Sequence, residues 1–219
     1  MRLMPRRAAI AAGASAFAAN SVLAQQYPDR IIKIISPAPP GGSTDIMSRL
    51  LQPGMQEFLK QTVIVESRGG AGGYIGSDVV AKSPADGYTV LLGGAFTANT
   101  ALLKKKSAYD PRKDLVPLAI VASVPNILVA GPRLKPNNLA GLLAEAKANP
   151  DKLNMGSNGV GTTLHLSAEL LKARTGVSFT HVPFRGWSDC MVAVVNGEIE
   201  LMFDNLNTAL PNIKDGRSE

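Results

Sequence analysis

The chain has 219 residues, a formal net charge of +6, one cysteine and an aromatic fraction of 5%. One cysteine cannot form an intramolecular disulfide, and we expect Cys190, which lies in an apolar helical pattern, to be a buried and inert thiol. The cations are scattered apart from residues 104–106, and few aromatics are available for base stacking, which argues against a nucleic-acid partner. No His/Cys cluster has zinc spacing, so we predict neither a metal nor a cofactor.

Residues 1–24 have the three parts of a secretory signal peptide. Three arginines open the chain, residues 8–19 form a short alanine-rich apolar stretch, and Val22 and Ala24 place small residues at the −3 and −1 positions. We expect cleavage after Ala24 and release into the periplasm by general secretion, although the arginine pair at 6–7 leaves the twin-arginine route open. Loss of the three arginines lowers the net charge from +6 to +3.

The first predicted element after the leader is a strand followed by a glycine loop and a helix. Four isoleucines at 31, 32, 34 and 35 form a β-branched apolar run, typical of a buried strand in a parallel sheet. Prolines and glycines at 37–42 then force a loop, and the polar side chains at 43–45 can cap a helix, which we expect Pro53 to interrupt. Such an arrangement aims unpaired backbone N–H groups at an anion, so this stretch is interpreted as half of a binding site.

The alternation of strand, loop and helix continues along the chain and predicts an α/β fold with parallel sheets. Strands are predicted at residues 62–66, 88–92, 153–155, 178–182 and 199–203. Helices are predicted at 139–148 and 187–195, with a short helix near Thr208. One further helix is predicted to follow each of the glycine loops 69–73 and 156–163. Two apolar runs at 115–124 and 126–130 mark a crossing between domains. We therefore predict a first lobe over residues 25–120 and a second over 121–219, facing a shared cleft.

Nucleotide binding and serine hydrolysis fit the glycine loops less well than binding of a small anion does. No glycine loop has the spacing of a dinucleotide site, and none ends in the Gly-Lys-Ser/Thr of a P-loop. The pentapeptide at 41–45 approaches the G-x-S-x-G elbow of serine hydrolases, but its last residue is aspartate. An α/β hydrolase-like enzyme using Ser43 as nucleophile and His165 as base is the alternative that stays open. His181 lies on a predicted strand and is interpreted as structural.

A solute receptor fits better. Backbone N–H donors at two helix starts, with hydroxyl groups beside them, suit a carboxylate at each end of a small molecule. Neither loop contains lysine or arginine, so the helix dipoles would hold the carboxylate and release it readily. The hydroxyl groups in question belong to Ser43, Thr44, Ser157, Thr162 and Thr163.

An ordered series of motifs resembles the Bug-type receptors of tripartite tricarboxylate transporters, which are periplasmic solute-binding proteins. The segments that carry the resemblance are PPGGSTD at 39–45, ESRGGAGG at 66–73, PADGYT at 84–89, GTTLHL at 161–166, HVPFRG at 181–186 and MFDN at 202–205. The resemblance implies a two-lobed Venus-flytrap fold of the type II kind. It further implies a monomer that closes on a small organic acid and delivers it to a membrane permease, without catalysis.

The resemblance also implies which residues border the ligand, including Arg185 where relatives often have lysine. The expected ligand-binding residues are Pro39, Pro40, Gly41, Gly42, Ser43, Thr44, Asp45, Thr97, Ser157, Asn158, Gly161, Thr162, Thr163, His165, Phe184 and Asp204. Asp45 is expected to cap the helix or order water. Family members continue beyond the position of Glu219, so we expect a first lobe that is incomplete, with an open sheet edge. Dicarboxylates, tricarboxylates, amino acids and aromatic acids all fit as ligands.

Overall fold

The computed structural model describes residues 27–103, 106–136 and 138–218, and the predicted signal peptide lies outside these residues. The described residues form two sheets, each flanked by helices. We call the part built on the first sheet the first lobe and the part built on the second sheet the second lobe. This α/β architecture agrees with the predicted fold class.

The first lobe has three parallel strands in the order β2-β1-β3. Its elements are β1 (Ile32–Ser36), α1 (Ser43–Leu59), β2 (Val63–Ser67), α2 (Tyr74–Ala81), β3 (Thr89–Leu91) and α3 (Ala95–Leu102). Ile32, Ile34 and Val63 form its fully buried core. The three predicted strands are therefore confirmed, with each boundary shifted by one residue.

The second lobe has four strands in the order β4-β7-β5-β6, in which only β4 runs antiparallel to its neighbour. Its elements are β4 (Asn126–Ala130), α4 (Leu139–Ala148), β5 (Asn154–Ser157), α5 (Thr163–Thr175), β6 (Thr180–Pro183), α6 (Trp187–Val195), β7 (Leu201–Asn205) and α7 (Leu206–Lys214). Successive residues of β7 point to opposite faces, with Leu201 in one apolar cluster and Met202 in the other. The sheet is thus buried on both faces, and Cys190 is fully buried as predicted.

Two predictions about α1 were wrong. The helix runs through Pro53 without interruption, because Pro53 and Gly54 are exposed and the carbonyl that proline leaves without a partner can be hydrated. The helix also begins at Ser43, after an N-cap at Gly42 that offers no side-chain cap. The polar residues at 43–45 therefore lie inside the first turn, and its backbone N–H groups stay available to a ligand.

Residues 115–125 join the two lobes and contain neither helix nor strand. They include the most exposed large apolar side chain among the described residues, Ile120, which is 93% exposed. The run lies where a crossing between domains was predicted, and the lobe boundary at residue 120 stays a prediction. Among the described helices, none combines the length and the hydropathy needed to span a membrane.

Candidate functional site

A cavity of about 480 Å³ lies between the two lobes. Its wall includes segments that follow the carboxyl ends of β1, β2, β3, β5 and β6, together with Asn205, the last residue of β7. Residues from both lobes and from the connecting run 121–124 complete it. Ligands of open α/β sheets bind at the carboxyl ends of their strands, so this cavity is the candidate binding site.

Helix starts converge on this cavity. Of the seven described α-helices, six have their N-cap or first residue on its wall: Ser43 for α1, Gly73 for α2, Gly94 for α3, Thr162 for α5, Gly186 for α6 and Asn205 for α7. The N-terminus of a helix carries a partial positive charge and unpaired N–H donors. The wall therefore presents many weak positive charges to a single ligand.

Arg185 carries the only formal charge among the described residues of the wall. Its side chain is exposed, and no ion pair or hydrogen bond joins it to the described part of the chain. No aspartate or glutamate lines the cavity within the same residues. Both the backbone and the one charged side chain thus favour an anionic ligand.

Asp45 supports the first-lobe loop from behind the wall. Its carboxylate is 2% exposed and accepts hydrogen bonds from Gly41 N–H at 3.0 Å, Arg49 Nε at 3.0 Å and Ser67 Oγ at 2.7 Å. Burial alone would raise the pKa of this carboxyl, but the bonds from Arg49, Ser67 and Gly41 outweigh burial and lower that pKa. Asp45 therefore ties the loop to β2 and does not line the cavity.

Asp204 has the same supporting role in the second lobe. Fully buried, it accepts from Trp187 Nε1 at 2.8 Å, Asn205 N–H at 2.7 Å and Thr208 Oγ1 at 2.8 Å. Burial raises the pKa of Asp204 to about 6, although these hydrogen bonds act in the opposite direction. Asp204 thereby orients the indole of Trp187, which does line the cavity.

Ser157 and His165 also lie behind the wall. The Ser157 hydroxyl is fully buried and lies 2.7 Å from Nε2 of His181. Nδ1 of His165 accepts from Gly161 N–H at 3.3 Å. Both side chains hold the loop that follows β5, and neither is among the residues of the cavity wall.

The structure thus brings together only part of the predicted site. Six predicted residues line the cavity, namely Pro39, Ser43, Thr44, Asn158, Thr162 and Thr163. Ten do not, namely Pro40, Gly41, Gly42, Asp45, Thr97, Ser157, Gly161, His165, Phe184 and Asp204. Thr97 Oγ1 instead accepts from Gly94 N–H at the start of α3, and Phe184 packs against the second-lobe core. Ligand contact by the six wall residues stays a prediction.

Sequence reasoning missed several wall residues. Phe96, Trp187 and Asn126 line the cavity, as do Gly70, Gly72 and Gly73. The glycine loop at 69–73 was visible in the sequence, but its spacing fits no nucleotide motif and it was not assigned to the site. Phe96 could have been found, because residues 95–99 follow the carboxyl end of a predicted strand, where open α/β sheets bind ligands. Trp187 gave no such signal, because it is an isolated ring at the start of a predicted helix.

The two lobes touch at the edges of the cavity. Ser43 Oγ donates to Asn207 Oδ1 at 3.1 Å. A Cβ atom added at Gly186 would lie 2.8 Å from Cγ of Pro39, and one added at Gly159 would lie 3.2 Å from the backbone of Gly72. Glycine at both positions therefore permits the close approach of the lobes. The hydroxyl of Ser43 has Asn207 as its partner, so the pairing with His165 that the hydrolase alternative requires is not formed.

This is the architecture of a two-lobed α/β solute-binding protein, and comparison with known proteins agrees. A family model described as the tripartite tricarboxylate transporter family receptor matches residues 47–219. The protein BugT of Bordetella pertussis is 40% identical over 206 residues, which are 93% of this chain and 63% of BugT. The chain therefore belongs to the tripartite tricarboxylate transporter receptor family.

Two solved structures extend the comparison. The R. palustris protein Rpa4515, with adipate, is 34% identical with a TM-score of 0.84, over 88% of this chain and 65% of that one. MatC from Rhodopseudomonas palustris, with bound malate, is 32% identical with a TM-score of 0.81, and the match covers 88% of this chain and 66% of MatC. The chain thus spans about two thirds of the length of the relatives it matches.

The contact between the lobes at Gly186 can be tested by adding one methyl group. The backbone at Gly186 has a φ of −162°, which any residue adopts, so Gly186→Ala introduces only the clash with Pro39. Forcing such a contact costs about 1–3 kcal/mol. We expect Gly186→Ala to separate the lobes, to raise the radius of gyration measured by small-angle X-ray scattering, and to lower the free energy of unfolding within that range.

Gly54→Ala is the matched control, because a Cβ at this exposed helical position meets nothing within 4 Å. It should leave the radius of gyration unchanged and stabilise the protein by about 0.5–1 kcal/mol. If Gly186→Ala behaves like Gly54→Ala, the lobes do not touch at Pro39 in solution.

Proposed function

We propose that this protein is an extracytoplasmic receptor that binds a small organic acid in the cavity between its lobes. The observation that carries the proposal is the convergence of six helix starts on one wall. Each helix start is equivalent to roughly half a positive charge. With no acidic side chain on the described wall, these partial charges stand uncompensated and favour a carboxylate.

A ligand with two carboxylates fits the distribution of donors best. On one side lies the uncapped start of α1 at Ser43 and Thr44, whose first backbone N–H groups have no partner within the helix, and across the cavity lies the start of α5 at Thr162 and Thr163. A volume of about 480 Å³ is within the usual range for small-molecule sites, roughly 300–1,000 Å³. The adipate and malate named for two similar structures are dicarboxylates, which supports this class of ligand.

Arg185 supplies a full charge where the helix starts supply partial charges. An exposed cation contributes less than a buried one, because water screens it. We assign Arg185 the role of attracting the dianion to the cleft and pairing with one carboxylate once the lobes have closed. The helix dipoles, which carry only partial charges, bind the second carboxylate. The acid is therefore held weakly enough to be released again to a permease.

A receptor, unlike a hydrolase, returns its ligand unchanged. The separate hydrogen-bond partners of Ser43 and His165 argue against a nucleophile and base pair. Membership in a receptor family supports binding without turnover. The predicted signal peptide at 1–24 supports a periplasmic location, and the family supports delivery to the membrane subunits of a tripartite transporter by a monomeric receptor.

Thermal unfolding with dicarboxylates tests the proposal. A ligand at about one hundred times its dissociation constant stabilises a protein by about 2.7 kcal/mol. For a chain of this size, that free energy raises the melting temperature by about 5–10 °C. We expect adipate or malate to produce such a shift. The uncharged diamides are the control and should leave the melting temperature unchanged.

Equal shifts with the acids and with the diamides would contradict recognition by charge. A cooperative melt that no organic acid moves would contradict the receptor function as proposed.

Substitution of Arg185 tests its assigned role. Arg185→Gln removes the only formal charge on the described wall and should weaken adipate binding by about threefold to tenfold, as measured by titration calorimetry. Arg185→Lys keeps the charge and should retain most of the affinity. The control is Arg174→Gln, which makes the same change of charge at an exposed position of α5 away from the wall. If Arg185→Gln and Arg174→Gln bind adipate equally, Arg185 does not contact the ligand.

A further inference from the structure

Two histidines lie side by side behind the second-lobe loop, which we define as residues 157–161. The ring centroids of His165 and His181 are 4.3 Å apart, with an angle of 37° between the ring planes. His165 belongs to α5, which follows the loop, and His181 belongs to β6, which pairs with the strand β5 that precedes the loop. Neither ring lines the cavity.

The hydrogen bond to His165 fixes where this ring can carry a proton. Gly161 donates its backbone N–H to Nδ1 of His165, with the two nitrogens 3.3 Å apart. A backbone N–H can only donate, so Nδ1 must offer a lone pair. The other ring nitrogen, Nε2, carries the proton and lies 4.0 Å from Oε1 of Glu169.

The bond between Ser157 and His181 has a defined direction as well. Ser157 Oγ accepts from Gly159 N–H at 3.2 Å and lies 2.7 Å from Nε2 of His181. If Nε2 also donated to Oγ, the proton of this fully buried hydroxyl would have no acceptor, and a buried unsatisfied donor is costly. The hydroxyl therefore donates to His181, which accepts through Nε2.

The loop that the two rings hold is part of the cavity wall and of the contact between the lobes. Asn158 lines the cavity, and Gly159 approaches the backbone of Gly72 in the first lobe. The loop also carries the acceptor for Thr162 Oγ1, which donates to the carbonyl of Gly159 at 2.8 Å. A shift of the loop therefore alters the wall and the closure of the lobes together.

We propose that His165 and His181 are positioning residues, which hold the second-lobe loop in its ligand-binding geometry only while Nδ1 of His165 and Nε2 of His181 accept hydrogen bonds. Protonation of His181 at Nε2 replaces the lone pair with a donor facing the loop. The loop then loses its support at Ser157. The consequence for ligand affinity rests on the proposed receptor function, whereas the consequence for the loop does not.

The surroundings of His181 favour its neutral form. The titratable and charged groups that act on it are His165, Glu169 and Lys172, all on α5, while β5 contributes the uncharged hydroxyl of Ser157. Burial is the largest influence, and it lowers the pKa of His181. The charges of His165 and Lys172 lower this pKa further, whereas the carboxylate of Glu169 raises it.

The sign of the pH dependence follows from that lowered pKa. The folded state binds fewer protons at His181 than the unfolded state, whose pKa is about 6.5. The stability that the neutral ring contributes is therefore complete above pH ~6.5 and is lost as the pH falls through the lowered pKa. Affinity for an acid should decline over the same interval.

A double variant separates positioning from packing. His165→Asn keeps an acceptor near Nδ1 and His181→Gln keeps one near Nε2, and neither replacement titrates. The first measurement follows the backbone amide resonances of Asn158, Gly159 and Gly161 by NMR from pH ~8 to pH ~5, the range in which histidine titrates. We expect these resonances to titrate in the wild-type protein and to stay constant in the double variant.

The second measurement follows adipate binding by calorimetry over the same range. Titration of adipate itself is common to both proteins and cancels in the ratio of their affinities. On acidification, we expect the wild-type protein to lose about fivefold to tenfold more affinity for adipate than the double variant loses. This is the effect of losing one or two hydrogen bonds. His181→Leu, which offers no acceptor, should lose affinity at every pH.

Two results would overturn the proposal: loop resonances that titrate identically in both proteins, or His181→Leu binding adipate like the wild-type protein at pH ~8. If adipate and malate bind neither protein, the proposed function fails while the NMR titration still decides whether the histidines hold the loop.

Discussion

The structure depends on one geometric constraint: parallel strands of two sheets end at a shared cavity, and the helices that follow them begin there. A chain that alternates strand and helix has no other way to pack its helices on a parallel sheet. Because each lobe obeys this rule, six helix starts face one small volume. The resulting field is positive without a cluster of lysines or arginines among the described residues of the wall.

Buried polar side chains support this wall from behind. Asp45 holds the loop before α1, Asp204 holds Trp187 and the start of α7, and Ser157 with His181 holds the loop before α5. Each has several hydrogen-bond partners, as buried polar groups require. The supporting carboxylates face loops and helix starts, so the wall itself keeps a favourable potential for an acid.

The sequence predicted the fold well and the site in part. Strands such as Ile32–Ser36 and helices such as Leu139–Ala148 carry strong local patterns, and Asn138 caps that helix by accepting from Gly141 N–H. Motif position also placed Ser43 and Thr162 at the cavity. It could not say which side of a loop each side chain faces, so Asp204 and His165 were expected at the ligand although neither lines the cavity. Asp45, expected to cap the helix or order water, accepts from Gly41 N–H behind the wall. Trp187 was missed for the same reason, since orientation is set by tertiary contacts such as its bond to Asp204.

Fluorescence of the chain's single tryptophan tests the central claim most directly, since Trp187 lines the cavity and donates to buried Asp204. An acid that binds between the lobes must change the surroundings of this indole. Titration with adipate or malate should therefore give a saturable change in emission that fits one site, with the dissociation constant found by equilibrium dialysis. Binding detected by dialysis without any change in Trp187 emission would place the acid elsewhere and contradict the account.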